Sequence, residues 1–112
     1  MRVYPIASVP AETYAGIDGV SIRWAIGENV AAPNFYLRVI DVEQGAATAW
    51  HQHNWEHEVY VLAGEGAARD AHGETPLEPG SCAYIASNEP HAFVNTGAEP
   101  LRFVCVIPKP KG

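Results

Sequence analysis

Three of the five histidines in this 112-residue chain fall within seven consecutive positions, as His51, His53 and His57. In an extended strand alternate side chains share a face, so His51 and His53 should project together. His57 follows a three-residue connection and opens an apolar run, 59–62, from which it can turn back toward the same point. Neutral imidazole offers a lone pair near neutral pH and is the commonest metal ligand. The spacing therefore favours a metal site over three unrelated surface histidines.

This stretch resembles the first sequence motif of the cupin family, which reads G-x5-H-x-H-x(3,4)-E-x6-G. The first glycine and the two histidines of that motif are matched by Gly45, His51 and His53. Two residues compete for the glutamate position. Glu58 fits the longer spacer, but six intervening residues then lead to Glu65 rather than to glycine. His57 fits the shorter spacer, and six intervening residues lead to Gly64. The register favours His57, a histidine in place of the usual glutamate.

A second stretch resembles the second cupin motif, G-x5-P-x-G-x2-H-x3-N. Its first glycine, its histidine and its asparagine are matched by Gly80, His91 and Asn95. The chain departs from the motif at Ala86, which replaces the proline, and at Asn88, which replaces the second glycine. Asparagine tolerates the left-handed turn conformation better than most residues, so Asn88 should preserve the turn.

More narrowly, the chain resembles small single-domain cupins of the four-histidine manganese type. The matching segments are 32–35, the histidine stretch with Trp55 and Glu56, and 104–108. The resemblance covers the chain from about residue 20 onward and implies an all-β fold, the double-stranded β-helix or jelly-roll barrel. It also implies one divalent metal ion per chain, manganese first and iron next, whereas zinc, nickel or copper could fill a recombinant sample. The implied metal ligands are His51, His53, His57 and His91.

Composition and charge limit the class of protein. The length suits a single hydrophobic core, and no apolar run approaches membrane-spanning length. The formal net charge of −6 and the lack of a basic stripe argue against nucleic acid as a partner. Cys82 and Cys105 lie in apolar strands without framework spacing, and the first residues lack a long apolar segment. We therefore expect reduced thiols in a cytoplasmic protein.

Short strands separated by turn residues are predicted along most of the chain, as in a sandwich or barrel. The predicted strands are 20–26, 35–43, 47–53, 57–63, 82–85, 92–95 and 101–107, with a hairpin turn at 70–73. Residues 19–108 would form the barrel domain, preceded by an arm, 1–18, and followed by a polar tail, 109–112. An open sheet edge accepts an added strand, so the arm could exchange with a second subunit in a homodimer.

Alternation along these strands predicts a mostly apolar pocket beside the metal. On this pattern Ala47 and Ala49 face inward with the first two histidines, and Ala63 faces inward with His57. Arg38 should also point inward if its strand neighbours Asp41 and Glu43 face water, although a surface salt bridge is an equal alternative. The predicted pocket residues are Arg38, Trp55, Phe93, Phe103, Cys105 and Ile107.

Four neutral ligands would leave the charge of a divalent ion uncompensated and two neighbouring coordination positions open. Our first hypothesis is a small metal-dependent oxidoreductase, dioxygenase-like, that activates oxygen or peroxide against an apolar or aromatic substrate. One alternative is a non-catalytic, metal-dependent binding module for a small ligand. Another is a lyase or isomerase that acts on a small carboxylic acid, which an inward Arg38 would favour. The fold does not choose among these functions. The expected partners are a small molecule and a second copy of the chain, without nucleic acid or membrane.

Overall fold

A computed structural model describes residues 1–111, and Gly112, the end of the predicted polar tail, lies outside the described residues. The described chain contains β-strands and two short 3-10 turns, and no α-helix occurs within it. The strands are β1 Glu12–Thr13, β2 Val20–Ile26, β3 Phe35–Val42, β4 His57–Ala63, β5 Gly66–Asp70, β6 Gly73–Leu77, β7 Cys82–Ile85, β8 Ala92–Asn95 and β9 Leu101–Pro108. The 3-10 turns are Ile6–Ser8 and Glu28–Val30.

The strands form two antiparallel sheets around one apolar core. The larger sheet has the order β1-β2-β3-β9-β4-β7, and the smaller has the order β6-β5-β8. Side chains from both sheets meet in the core, among them Val42 and Phe103 from the larger sheet and Phe93 and Leu77 from the smaller. The predicted all-β jelly-roll barrel is confirmed.

Side chains alternate between the two faces of β9. Leu101, Phe103, Cys105 and Ile107 are buried, because each faces the core at a period of two. Arg102 faces the other way and forms a salt bridge of 2.7 Å with Asp41 of the neighbouring strand β3. The central strands of the larger sheet therefore follow the hydrophobic pattern of the sequence closely.

Buried Asn95 ties the smaller sheet to the larger one. Its side-chain amide donates hydrogen bonds to the carbonyl oxygens of Val42, at 2.9 Å, and Glu99, at 2.8 Å. Its side-chain oxygen accepts the backbone N–H of Gly97 at 2.8 Å. Because every polar atom of this buried amide is satisfied, Asn95 holds the end of β8 against β3 without an unpaired buried group.

The predicted strand 47–53 is wrong. That segment forms only two isolated bridges, between Ala47 and Val94 and between His51 and His91. The side-chain hydroxyl of Thr48 accepts a hydrogen bond from the backbone N–H of Phe93 at 2.8 Å. A side-chain oxygen therefore replaces the backbone carbonyl that would accept this bond in a regular strand pair. The loss of regular pairing breaks the alternation. Thr48 is consequently buried, and Ala49, which we expected inside, is exposed.

Ala63 was also expected inside and is exposed. The pairing of β4 with β9 shifts register between Val61 and Ala63, which marks a bulge. An extra residue at a bulge moves the following side chain to the opposite face of the strand. Strand ends differ from prediction by one residue at two places, since β3 ends at Val42 and β9 continues to Pro108.

Residues 1–18 lie along the larger sheet of the same chain. Strand β1 pairs with β2, and the Tyr4 hydroxyl donates to the carbonyl oxygen of Ala25. The exchange of this arm with a second subunit stays a prediction. The described residues include no helix with the length and hydrophobicity that a bilayer crossing requires.

The turn between β4 and β5 provides a test of the fold. Gly64 has a φ of 84°, and a Cβ there would collide with the carbonyl oxygen of Pro100. We expect Gly64→Ala to lower the free energy of unfolding by more than about 2 kcal/mol, because the clash adds to the strain of positive φ. Urea denaturation measures this loss. The matched control is Gly45→Ala, where φ is 79° and the added Cβ meets open space. Equal losses in the two variants would contradict the packing described here.

Candidate metal centre

The four predicted ligands come from three segments that meet inside the barrel. His57 is the first residue of β4 and pairs with Ile85 of β7. His51 and His91 exchange backbone hydrogen bonds of 3.2 and 3.0 Å across an antiparallel bridge. His53 follows two residues after His51, and its carbonyl oxygen accepts the backbone N–H of Asn88.

Asn88 has the left-handed backbone expected at the second departure from the cupin motif, with a φ of 64°. In the same turn the side chain of Glu89 accepts the backbone N–H of Ala86 at 3.0 Å. The turn therefore keeps its shape without the proline and glycine of the motif. It fixes the start of the segment that carries His91.

The imidazoles of His51, His53 and His91 form a close cluster. One nitrogen from each can be chosen so that all three atoms lie within 4.8 Å of one another. His57 stands beside this cluster, with its ring centroid 4.9 Å from that of His53 and 5.1 Å from that of His91. The structure thus brings all four histidines together, with three of them in the tighter group.

Hydrogen bonds fix the tautomers of two of these imidazoles. Nδ1 of His51 lies 2.6 Å from the carbonyl oxygen of Ala49, and Nδ1 of His91 lies 2.8 Å from that of Glu89. A carbonyl oxygen only accepts, so each Nδ1 must carry the hydrogen. Each Nε2 is then left with a free lone pair, the arrangement that orients metal-ligating histidines.

His57 shows that the donor set fits a metal ion. It is 3% exposed, and its Nε2 is buried with no hydrogen-bond partner among the described residues. Its other nitrogen, Nδ1, lies 3.6 Å from the Cys105 thiol. A buried polar atom without a partner costs about 1–3 kcal/mol, and coordination of a metal ion would remove that cost. The four-residue ligand set itself stays a prediction.

Burial favours the neutral form of the His53, His57 and His91 imidazoles. Desolvation, aided by the charges of Arg38 and the neighbouring histidines, lowers the pKa of His57 to about 3. Desolvation also lowers the pKa of His53 to about 4, with His51 and His91 next in effect. The pKa of His91 is lowered as well, mainly by burial. A metal ion would therefore meet lone pairs at neutral pH without displacing protons.

A small cavity lies against the histidines on the core side. Its volume is about 10 Å³, close to the space that one water molecule requires. Four predicted pocket residues line it together with His51, His57 and His91. These four are Arg38, Phe93, Phe103 and Cys105. The inward orientation of Arg38 is confirmed, since the residue is 4% exposed.

The other two predicted pocket residues lie elsewhere. Trp55 is 39% exposed and stacks on the imidazole of His53, with centroids 4.6 Å apart and rings nearly parallel. Ile107 is buried in the core and does not line this cavity. A wider cavity of about 380 Å³ lies on another side of His91 and Phe93, bordered by β5, β6 and β7. Its volume falls in the range typical of small-molecule sites.

Three residues that line this cavity are absent from the predicted pocket: Tyr14, Ile40 and Thr48. Tyr14 belongs to the arm and reaches Arg38, which is 24 positions away in sequence. No local pattern marks such a contact, because the arm lacks the alternation that predicts a buried face. Thr48 was assigned outward by strand parity, and the break in pairing turns it inward.

Comparison with known proteins places the chain among cupins. The family model described as Cupin domain matches residues 38–107. The oxalate-binding protein of Thermotoga maritima is 36% identical over 64 residues, which cover 56% of this chain and 53% of that protein. The chain spans little more than half the length of the curated relatives that it matches.

Two solved structures extend the comparison across almost the whole chain. The polyketide cyclase RemF from Streptomyces resistomycificus superposes with a TM-score of 0.89 and 30% identity, covering 96% of this chain and 79% of that one. A sugar phosphate isomerase from Silicibacter pomeroyi superposes with a TM-score of 0.84 and 24% identity, covering 97% and 76%. The second likeness supports the fold alone.

Two adjacent substitutions test which residue of β4 is a ligand. His57→Ala should lower the metal content of the purified protein sharply, because it removes a buried nitrogen beside the histidine cluster. Glu58→Ala should leave the metal content unchanged, because Glu58 is exposed on the opposite face of the strand. Elemental analysis after dialysis measures both. Loss of metal in the glutamate variant with retention in the histidine variant would refute this assignment.

Proposed function

The chain belongs to the Cupin domain family, and from that premise we propose a metal-dependent enzyme of the lyase or isomerase kind. Its substrate would be a small carboxylic acid that also carries a carbonyl group. The observation that carries this proposal is Arg38, a buried cation that shares a cavity with three imidazoles of the candidate metal centre. A pocket for dioxygen and an apolar substrate has no need of such a cation, whereas a small acid requires one.

The proposed chemistry divides between the metal and the pocket wall. His51, His53, His57 and His91 would hold one divalent ion, with manganese first and iron next. Such an ion supplies Lewis acidity to a carbonyl oxygen when bound, and a redox-active one can also exchange electrons with oxygen. Arg38 adds a fixed positive charge to the same wall, where negative charge on a substrate oxygen would be stabilised. Phe93 and Phe103 exclude water and so strengthen that electrostatic interaction.

The comparisons support this choice of chemistry. RemF, which is 30% identical over nearly the whole chain, is named as a polyketide cyclase. The Thermotoga maritima relative is named for binding oxalate, a small dianionic acid. Both names refer to oxygen-rich molecules, and a carbonyl or carboxylate oxygen is the natural partner of an electropositive pocket.

The second candidate function is a dioxygenase-like oxidoreductase with manganese or iron that activates oxygen or peroxide. The small size of the cavity favours it, because about 10 Å³ admits a guest of only one or two atoms. The apolar aromatic wall of Phe93 and Phe103 is also compatible with an apolar or aromatic substrate. A non-catalytic binding module is the third reading, since Glu58 and Tyr60 point away from the pocket and supply no acid–base pair.

Exchange of substrate protons with the solvent distinguishes the proposed lyase or isomerase from the oxidoreductase and from the binding module. We expect the manganese-loaded protein to accelerate deuterium exchange at the carbon between the two carbonyl groups of acetoacetate, measured by NMR in heavy water. The acceleration over free metal should be at least about tenfold and should be lost in His91→Ala, because polarisation of the carbonyl acidifies that carbon. His72→Ala is the matched control, since His72 is exposed at a hairpin turn.

An oxygen electrode should record no oxygen consumption by the manganese-loaded protein in the presence of acetoacetate. Oxygen consumption without exchange would overturn the proposal in favour of the oxidoreductase. If the protein neither accelerates proton exchange nor consumes oxygen, the non-catalytic binding module is favoured.

We also propose a homodimer, in which the outer face of the larger sheet contacts a second copy. Tyr60, Leu62 and Tyr84 expose 49%, 45% and 65% of their surface there. Such clustered apolar exposure is typical of an interaction surface.

Sedimentation equilibrium should show a dimer for the natural chain and a monomer for the double variant Tyr60→Lys, Tyr84→Lys. A monomeric natural chain would contradict this arrangement.

A further inference from the structure

Arg38 makes only neutral contacts. Its Nη2 donates to the Cys105 sulfur at 2.9 Å, and its Nη1 donates to the Tyr14 hydroxyl at 3.3 Å. The guanidinium carbon lies 5.9 Å from the ring centroid of Tyr14 and 5.6 Å from that of Trp24.

No carboxylate of residues 1–111 reaches this guanidinium. The salt bridges of the described chain join Arg69 to Glu74 and Arg102 to Asp41. Nε of Arg38 is buried and has no hydrogen-bond partner in the same part of the chain. A buried charge without a counter-ion is strongly destabilising, and an apolar side chain of similar volume would serve packing better. A charge kept under these conditions indicates a missing anion.

We propose that Arg38 and Tyr14 form a carboxylate-binding subsite beside the metal centre, which receives one carboxylate oxygen of the substrate. The guanidinium would donate from its fork of N–H groups, which suits a carboxylate oxygen better than any neutral group does. The cavity between Arg38 and the histidines has room for about one oxygen atom, so the acid enters by its tip. The naming of the ligand as a carboxylic acid rests on the proposed function.

Tyr14 contributes a second donor. Its hydroxyl accepts a hydrogen bond from Arg38, so the hydroxyl proton is free to point toward an anion in the cavity. Strand β2 holds Tyr14 in place, because the backbone N–H of Tyr14 donates to the carbonyl oxygen of Val20 at 2.9 Å. The subsite therefore combines Tyr14 of the arm with Arg38 of strand β3 in the larger sheet. Deletion of the arm would open the cavity and remove one of its two donors.

Calorimetric titration of the metal-loaded protein with formate, acetate and acetoacetate tests the subsite. Arg38→Met should weaken acetoacetate binding about tenfold or more, because a charge-assisted hydrogen bond is lost. Tyr14→Phe, which removes only the hydroxyl, should weaken it about threefold or more. The matched control is Arg23→Met on the neighbouring strand β2, since the Nε of Arg23 is likewise buried without a partner in the described chain, but Arg23 does not line the cavity. That control should bind as the natural protein does.

Thermal unfolding supplies an independent readout. Arg38→Met should melt at the same or a higher temperature, because the substitution removes an uncompensated buried charge. A lower melting temperature with unchanged affinity for the three acids would show a purely structural arginine and overturn the proposal. So would equal weakening in Arg23→Met, or no binding of any of the three acids to the natural protein.

The binding result is separable from the proposed function. Acid binding that depends on Arg38, without proton exchange of acetoacetate, would uphold the subsite and refute the enzyme. Exchange that persists unchanged in Arg38→Met, with unchanged affinity, would uphold the enzyme and refute the subsite. Metal content measured in every variant ensures that a lost response reflects the arginine and not a lost ion.

Discussion

The pairing of His51 with His91 is the contact on which the candidate metal centre depends. Forty positions separate the two residues in sequence, and two backbone hydrogen bonds of 3.2 and 3.0 Å hold them side by side. In each of them the imidazole Nδ1 bonds the carbonyl oxygen two residues earlier. The same local device thus orients both rings and leaves both Nε2 atoms free. His53 in the loop then contacts His51, and His57, the first residue of β4, contacts His91.

The interior of this barrel holds the buried positive charge of Arg38, although the chain carries a formal net charge of −6. The buried Nε2 of His57 and the buried Nε of Arg38 have no hydrogen-bond partner among the described residues. Each such group lowers the stability of the metal-free, ligand-free protein. Local conflicts of this kind are expected where function rather than folding selects the residue. Arg38 and His57 line the same cavity, which links the arginine to the histidines, whereas Arg23, whose Nε is also buried without a partner in the described chain, lies outside it.

The sequence predicts the regular strands well and the irregular ones poorly. The predicted bounds of β2, β4, β7 and β8 are correct to the residue, and the alternation of burial is clearest in β4. Alternation failed at 47–53, where the hydroxyl of Thr48 replaces a backbone partner, and at Ala63, where a bulge reverses the face. The spacing of the histidines predicted residues that do converge. Alternation could not identify Tyr14 as a pocket residue, because its contact with Arg38 joins the arm to the sheet. Such a contact produces no periodic pattern in the sequence.

The central claim is that four imidazoles surround one metal ion. X-ray absorption spectroscopy on protein loaded with one equivalent of manganese tests it most directly, because the outer-shell scattering of imidazole rings counts the histidine ligands. We predict four imidazoles per manganese in the natural protein and three in His57→Ala. Two or fewer imidazoles, or a carboxylate ligand that disappears in Glu58→Ala, would contradict this account of the site.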